Sequence, residues 1–216
     1  MLRFGSKMSQ ELYTIGHSTH PLSQFLDLLV KHGISAICDV RSNPYSRLYP
    51  QFNRESLQKE LALHNIAYVF LGEELGARSS DSSCYEGGKV QYNRLAATDA
   101  FRRGIERVKK GIQRYRVALM CAEKDPLTCH RTILVCRHLK APDVSIRHIL
   151  DNGRIEPHEA SERRLIKLVG VEQGDLFQDF RELLERAYDL QGQRIAYTKP
   201  PTGMSRESHE NHENGE

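Results

Sequence analysis

Short apolar runs separated by amphipathic helical stretches constrain this chain more than any other feature. Leu12–Gly16, Ile34–Val40, Ile66–Leu71, Arg116–Ala122 and Val144–Leu150 each read as a buried strand, with the apolar density expected where both faces of a sheet are covered. Between them, Phe25, Leu26, Leu28 and Leu29, then the stretches 54–63 and 99–115, carry apolar residues at helical spacing. Strands joined by helices must run parallel, because the crossover returns the chain to the same end of the sheet. The fold expected is a three-layer α/β domain with a mainly parallel sheet of about five strands and flanking helices. Helices are also expected at 132–139, 160–169 and 175–190, and 154–158 suits either a short edge strand or a turn.

A single domain over residues 11–198 accounts for this pattern, between a flexible N-terminus (1–10) and a polar tail (199–216) rich in Ser, His, Glu and Asn that lacks any core pattern. The stretch from Glu73 to Tyr92 is polar, and it reads as a functional loop or lid, or as a tolerated insertion. No span suits a membrane. Five cysteines, an odd number with no CxxC pair, suit free thiols in a reducing cytoplasm and argue against a structural zinc site of the common spacing. The formal charge of +3 permits an anionic partner without requiring one.

In a parallel α/β sheet the ligand collects beyond the carboxyl ends of the strands. The polar residues that follow each run are therefore expected to converge: His17 and Ser18; Asp39, Arg41 and Asn43; Glu73 or Glu74; Cys121 and Glu123; Asp151 or Asn152. The densest of these segments runs from Cys121 to Arg131. It places a strand end, a polar loop and a helix start together, with Pro126 and Thr128 positioned to stop and cap. Unpaired N–H groups at a helix opening attract anions and lower thiol pKa values, and Cys129, His130 and Arg131 fall at that opening.

Four ordered motifs, Thr14-Ile-Gly-His-Ser18, Asp39-Val-Arg41 with Asn43-Pro44 and Ser46-Arg47, Leu71-Gly-Glu-Glu-Leu-Gly-Ala-Arg78, and Cys121-Ala-Glu123 with Cys129-His-Arg131, resemble those of domain-of-unknown-function family 488, over about 12–168. The resemblance implies a cytoplasmic α/β domain with a shared polar site, and names no activity and no cofactor.

The residue chemistry favours an enzyme acting on a phosphate-containing substrate, a nucleotide or nucleic acid, by hydrolysis or group transfer. Arg41, Arg47, Arg78 and Arg131 offer planar donor forks for the anion, with Asn43, Ser18 and Asp39 beside them. Glu123, His17 and His130 can move a proton, and Cys129 or Cys121 serves as nucleophile or structural thiol. The spacing is not that of a cysteine-dependent phosphatase loop, since Cys121 lies too far before Arg131 and Cys129 too near. The alternatives are a non-catalytic module binding nucleic acid or an anionic effector, and a thiol- or metal-dependent enzyme. For the first, Arg102, Arg103, Arg107, Lys109, Lys110, Arg114 and Arg116 crowd one helix and its exit, and Tyr45, Tyr49, Tyr85 and Tyr92 sit in loops where rings can stack on bases. For the second, His17, His20, Cys121, Cys129 and His130 are permissible ligands, but their order matches no metal motif and the sequence assigns none.

Overall fold

The computed structural model describes residues 9–171 and 179–200. Most of the expected N-terminal stretch and polar tail, and the start of the helix expected at 175–190, lie outside the described residues. In chain order the elements are β1 (Gln10–Gly16), α1 (Leu22–Lys31), β2 (Ala36–Asp39), α2 (Arg54–Leu63), β3 (Ala67–Phe70), the single turn α3 (Gly72–Leu75), a small hairpin of β4 (Tyr85–Glu86) and β5 (Lys89–Val90), α4 (Tyr92–Ala96), α5 (Asp99–Gly111) and β6 (Val117–Cys121). A π-helical stretch over Arg131–Cys136 then continues into α6 (Arg137–Leu139), followed by β7 (Val144–Ile149), β8 (Ile155–Pro157), α7 (His158–Val169) and α8 (Phe180–Ile195).

The main sheet has six strands in the order β3-β2-β6-β1-β7-β8. Five are parallel, and the sixth, β8, is an antiparallel edge strand. Residues 154–158, open at the sequence level, form that strand because Gly153 turns the chain at φ 75 and the Leu150 N–H donates to the Arg154 carbonyl at 2.9 Å. The expected loop at Glu73–Tyr92 also carries structure of its own: α3, a 3₁₀ turn at Ser82–Cys84 and the β4–β5 hairpin. That hairpin is held from behind by the chain's last described segment, through Val90 N–H to Tyr197 O at 2.9 Å and Lys199 N–H to Gly88 O at 2.8 Å.

Alternation along the strands sorts the core onto two faces. Tyr13, Ile15, Ile37, Ala118, Met120 and Ile149 meet α1 and α2, whereas Leu12, Ala36, Cys38, Val117, Leu119, Cys121 and Ile146 meet α5 and the π-helical segment. Each fully buried Leu, Ile or Val contributes about 1.5–3 kcal/mol, and β6, buried at all five positions, is the spine of both faces. A third cluster packs α7 and α8 against the 126–133 segment through Leu127, Ile133, Leu165, Leu183, Leu184 and Tyr188.

A polar line runs through this outer layer. Thr14 Oγ1 meets His148 Nδ1 at 2.8 Å, His148 Nε2 meets His158 Nδ1 at 3.0 Å, His158 Nε2 meets the Tyr188 hydroxyl at 3.1 Å, and that hydroxyl donates to Glu162 at 3.1 Å, itself paired with Lys140 at 2.7 Å. Every buried polar group along it finds a partner, as burial requires.

Chain direction reverses at the β1/β6 boundary: β1 leads over β6 towards β2, and β6 leads over β1 towards β7, with their helices on opposite faces. Such a reversal opens a crevice at the strand ends. His17 follows one of the two strands and Cys121 ends the other.

Candidate functional site

The end of β2 supplies a buried ion pair. Asp39, fully buried, accepts from the Arg41 backbone N–H at 3.1 Å, from Arg41 Nε at 2.9 Å and Nη2 at 2.6 Å, and from the Tyr68 hydroxyl at 2.7 Å. Arg41 Nη2 also donates to Phe52 O at 2.8 Å, and Nη1 meets His17 Nε2 at 3.3 Å. Because His17 Nδ1 lies 3.0 Å from the Ser18 carbonyl, which only accepts, Nδ1 carries the proton and Nε2 is the acceptor facing Arg41. Burial, reinforced by the Arg41 charge, pushes the His17 pKa down to about 4, so the ring is neutral; it also stacks on Phe52 at 4.3 Å. Asp39 and His17 thus orient Arg41, leaving it at the cavity wall.

The end of β6 and the following turn supply the reactive groups. Asp125 seats that turn, accepting from Leu127 N–H at 2.9 Å and forking onto Arg164 at 2.7 and 2.9 Å. Gln191 Nε2 of α8 donates to Leu127 O at 2.7 Å. Thr128 does not cap the following helix, contrary to the sequence expectation; its hydroxyl donates to Asp125 O at 3.0 Å, and no side chain caps the π-helical start at His130.

The helix opening does not present free donors to a ligand either. Arg131 N–H donates to Cys129 Sγ at 3.4 Å, and Thr132 and Ile133 N–H donate to Cys129 O at 3.2 and 3.1 Å. The anion that this opening serves is the chain's own sulfur.

Cys129 Sγ also lies 3.0 Å from Glu123 Oε2, close enough for the two to hold a single proton between them. Glu123 is exposed along one side while its carboxylate turns onto the sulfur; desolvation, then the Cys129 charge, raise its pKa. Burial also pushes Cys129 up, but the Cys121 thiol, the Arg131 guanidinium and His130 outweigh it, so this sulfur ionises well below an ordinary thiol. Cys121, raised by burial and by its neighbour Cys129, keeps its proton. His130 sits between them and the sheet: Nε2 donates to Val40 O at 2.9 Å, and Nδ1 lies 3.7 Å from Cys121 Sγ. Burial opposes the charged ring, yet Cys129 and Glu123 raise its pKa.

Arg131 is completely buried. Nη1 donates to Glu123 O at 2.7 Å, Nη2 to Lys124 O at 3.3 Å and Nε to Thr14 Oγ1 at 3.4 Å, so the guanidinium ties the β6 loop to β1 from beneath. Gly16 is required here: a Cβ at this position would fall on the Glu123 carbonyl, which receives Arg131.

Above these groups a cavity of about 260 Å³ is lined by Arg41, Asn43, Arg78, Cys121, Glu123 and His130, together with Ser42, Tyr92, Thr128 and Tyr197. A second lobe of about 380 Å³, lined by His17, Ser18, Tyr45, Ser46, Tyr49 and Lys124, shares Arg41, Asn43 and Glu123 with it. Arg78, placed there by a backbone N–H to Ser42 Oγ at 2.9 Å, lies over the Tyr197 ring at 4.3 Å.

The sequence-level set therefore divides. Arg41, Asn43, Arg78, Cys121, Glu123 and His130 share one wall, and His17 and Ser18 line the adjoining lobe. Asp39, Cys129 and Arg131 lie beneath, buried and lining neither lobe, while Arg47 is exposed and lines neither. Of the other residues expected to converge, Glu74 turns to Arg107 and Asp151 to His20 and Lys124, at 3.1 and 2.5 Å. Sequence reasoning missed Ser42 and Tyr197; Tyr197 follows the last helix and is brought in only by the β4–β5 hairpin, a contact without local signal.

The basic helix stops at Gly111, short of the expected Tyr115, and much of its charge is paired: Arg102 with Asp99 at 3.0 Å, Arg107 with Glu74 and Lys109 with Glu106 at 3.0 Å. Beyond it, Arg116 pairs with Glu11 at 2.5 Å and lies over Tyr13. Among the described residues no helix is long and apolar enough to cross a membrane. One group of potential metal ligands gathers among them, Cys121, Cys129 and His130, with donor atoms within 4.8 Å of one another; His17 and His20 do not join it.

No curated protein and no solved structure matches the chain. A family model, described as Domain of unknown function DUF488, matches residues 21–137. This is narrower than the stretch 12–168 over which the motifs resemble the family, and leaves Thr14–Ser18 outside, but it takes in β2 to the π-helical segment and hence the cavity wall. Covering more than half of the chain, the match shows that the protein belongs to the DUF488 family, an α/β family of unknown function.

Proposed function

We propose that this protein is an enzyme that holds a phosphate-containing substrate against Arg41, Arg78 and Asn43 and hydrolyses or transfers a group beside Glu123. The supporting observation is the sharing of one cavity wall by residues from three separate strand-to-loop junctions: donors from the β2 and β3 ends, and Cys121, Glu123 and His130 from the β6 end. Arg78 pairs with no carboxylate among the described residues, so its charge is available to a bound anion. Arg41, held rigid by Asp39, offers a preorganised second contact. Glu123, at the junction of the two lobes, is the group placed to exchange a proton with a substrate that spans them. Tyr92 and Tyr197 on one side and Tyr45 and Tyr49 on the other give ring faces of the kind that accept a nucleobase.

Direct attack by Cys129 has less support, because its sulfur lines neither lobe. The test is a panel of phosphomonoesters, phosphodiesters and nucleotides, followed by thermal shift and by product release. Turnover that is lost in Glu123→Gln with binding retained, and a KM that rises on Arg78→Ala with kcat little changed, are the expected results. Binding without turnover would leave an effector-binding module instead, and neither binding nor turnover across the panel would overturn the phosphate reading.

A further inference from the structure

We propose that Cys121 Sγ, Cys129 Sγ and His130 Nδ1 are a three-ligand site for a divalent metal ion, zinc being the best match, with the remaining coordination position directed at the 260 Å³ cavity. The inference deepens the enzymatic reading above by giving the two sulfurs a task, and its test reads metal rather than turnover, so either can fail alone.

Distance is the first argument. Zinc–sulfur bonds of about 2.3 Å and zinc–nitrogen bonds of about 2.0–2.1 Å, at tetrahedral angles, put a sulfur and a nitrogen ligand about 3.6 Å apart. Cys121 Sγ and His130 Nδ1 are 3.7 Å apart, and the three donor atoms all fall within 4.8 Å of one another. The span therefore fits a common ion without movement of the backbone.

Orientation is the second. The imidazole of a metal-bound histidine is commonly fixed by its other nitrogen, which donates to a carbonyl or carboxylate. His130 Nε2 does this to Val40 O at 2.9 Å, leaving the Nδ1 lone pair aimed at the sulfurs.

Charge is the third. Arg131 is a fully buried cation whose donors go to two carbonyls and a threonine hydroxyl, and among the described residues no carboxylate lies within ion-pair distance of it. An uncompensated buried charge is strongly destabilising. Two thiolates, one divalent ion, the Glu123 carboxylate and the guanidinium sum to zero, and Arg131 N–H already donates to Cys129 Sγ at 3.4 Å, as backbone amides do to a charged sulfur. Three protein ligands with one open position are the pattern of a catalytic rather than a structural zinc site. The soft sulfurs select against magnesium and calcium.

The test uses the full chain, freed of metal by a chelator under reducing conditions and titrated with cobalt(II). One equivalent per chain is expected, with a thiolate-to-cobalt charge-transfer band and tetrahedral ligand-field bands, all displaced by one equivalent of zinc. Cys121→Ser, Cys129→Ser and His130→Ala should each lose the tight site, and Cys84→Ser should keep it. Should those variants fail to fold, X-ray absorption on the zinc-loaded wild-type protein decides: two sulfurs at about 2.3 Å and one nitrogen at about 2.0–2.1 Å are expected. Cobalt that fails to bind, an all-oxygen and nitrogen shell, binding indifferent to the Cys121 and Cys129 changes, or a Cys121–Cys129 disulfide that persists under the reducing conditions would overturn the proposal.

Discussion

Replacing Arg131 by methionine should destabilise the protein by about 3–5 kcal/mol, the range for removing one partner from a buried charged network. The structure locates the loss. Methionine refills the aliphatic stem but strands two carbonyls, Glu123 O and Lys124 O, that now accept at 2.7 and 3.3 Å. A buried polar group left unpaired costs about 1–3 kcal/mol, and the longer contact belongs at the low end. Thr14 keeps its partner, because its hydroxyl remains 2.8 Å from His148 Nδ1. Loss of the positive charge beside Cys129 adds to this total. In urea, with a slope of about 2 kcal/mol/M, the unfolding midpoint should fall by roughly 2 M at an unchanged slope. Arg131→Lys, which keeps the charge and loses the fork, should fall between parent and methionine variant. A methionine variant with the parent's midpoint and slope would refute the claim that this guanidinium braces the β6 loop.

Gly16→Ala tests the same brace from the other side: the added methyl must displace the Glu123 carbonyl, so we expect a loss of stability comparable to an overpacked core, about 1–3 kcal/mol, with reduced ligand binding. A variant that keeps both would show that the loop yields freely. The buried His148–His158 pair predicts acid sensitivity. Burial lowers both folded-state pKa values below the ordinary 6.5, and His158 lowers His148 further. Each ring is thus neutral when folded, and the unfolded chain binds the extra protons. The contribution is whole above pH 6.5 and is lost as pH falls towards the folded-state values. Urea midpoints should drop between pH 7 and 5, and His158→Gln should flatten that slope; an equal slope in parent and variant would argue against the assignment.

Periodicity carried most of the fold. The helix at 54–63 is found at the expected residues, Arg54–Leu63, and the five apolar runs all became parallel strands, because strands covered on both faces must be apolar throughout. β8 was ambiguous since three residues are too short to show alternation. At the site, the sequence indicates which junctions meet but not which way a long side chain turns. Arg78 and Arg131 look alike as donors, yet one lies over a tyrosine at the cavity and the other is sealed under it. The sulfur that consumes the helix-opening amides follows from a π-helical start that local propensity does not encode. Tyr197 required a contact between segments about a hundred residues apart.

Gln191 reaches across from α8 to the backbone of the turn that presents Cys129, and this stitch lies beyond the residues that the family model matches. A proteolytic cut between α7 and α8 would leave every cysteine, arginine and acid of the cavity wall in place. It would also free Leu127 O from its amide and peel the apolar lid from Leu127 and Ile133. The reactive groups and the clamp that keeps them in register are thus separable pieces of the chain, and a kinsman lacking the second must anchor its turn by other means.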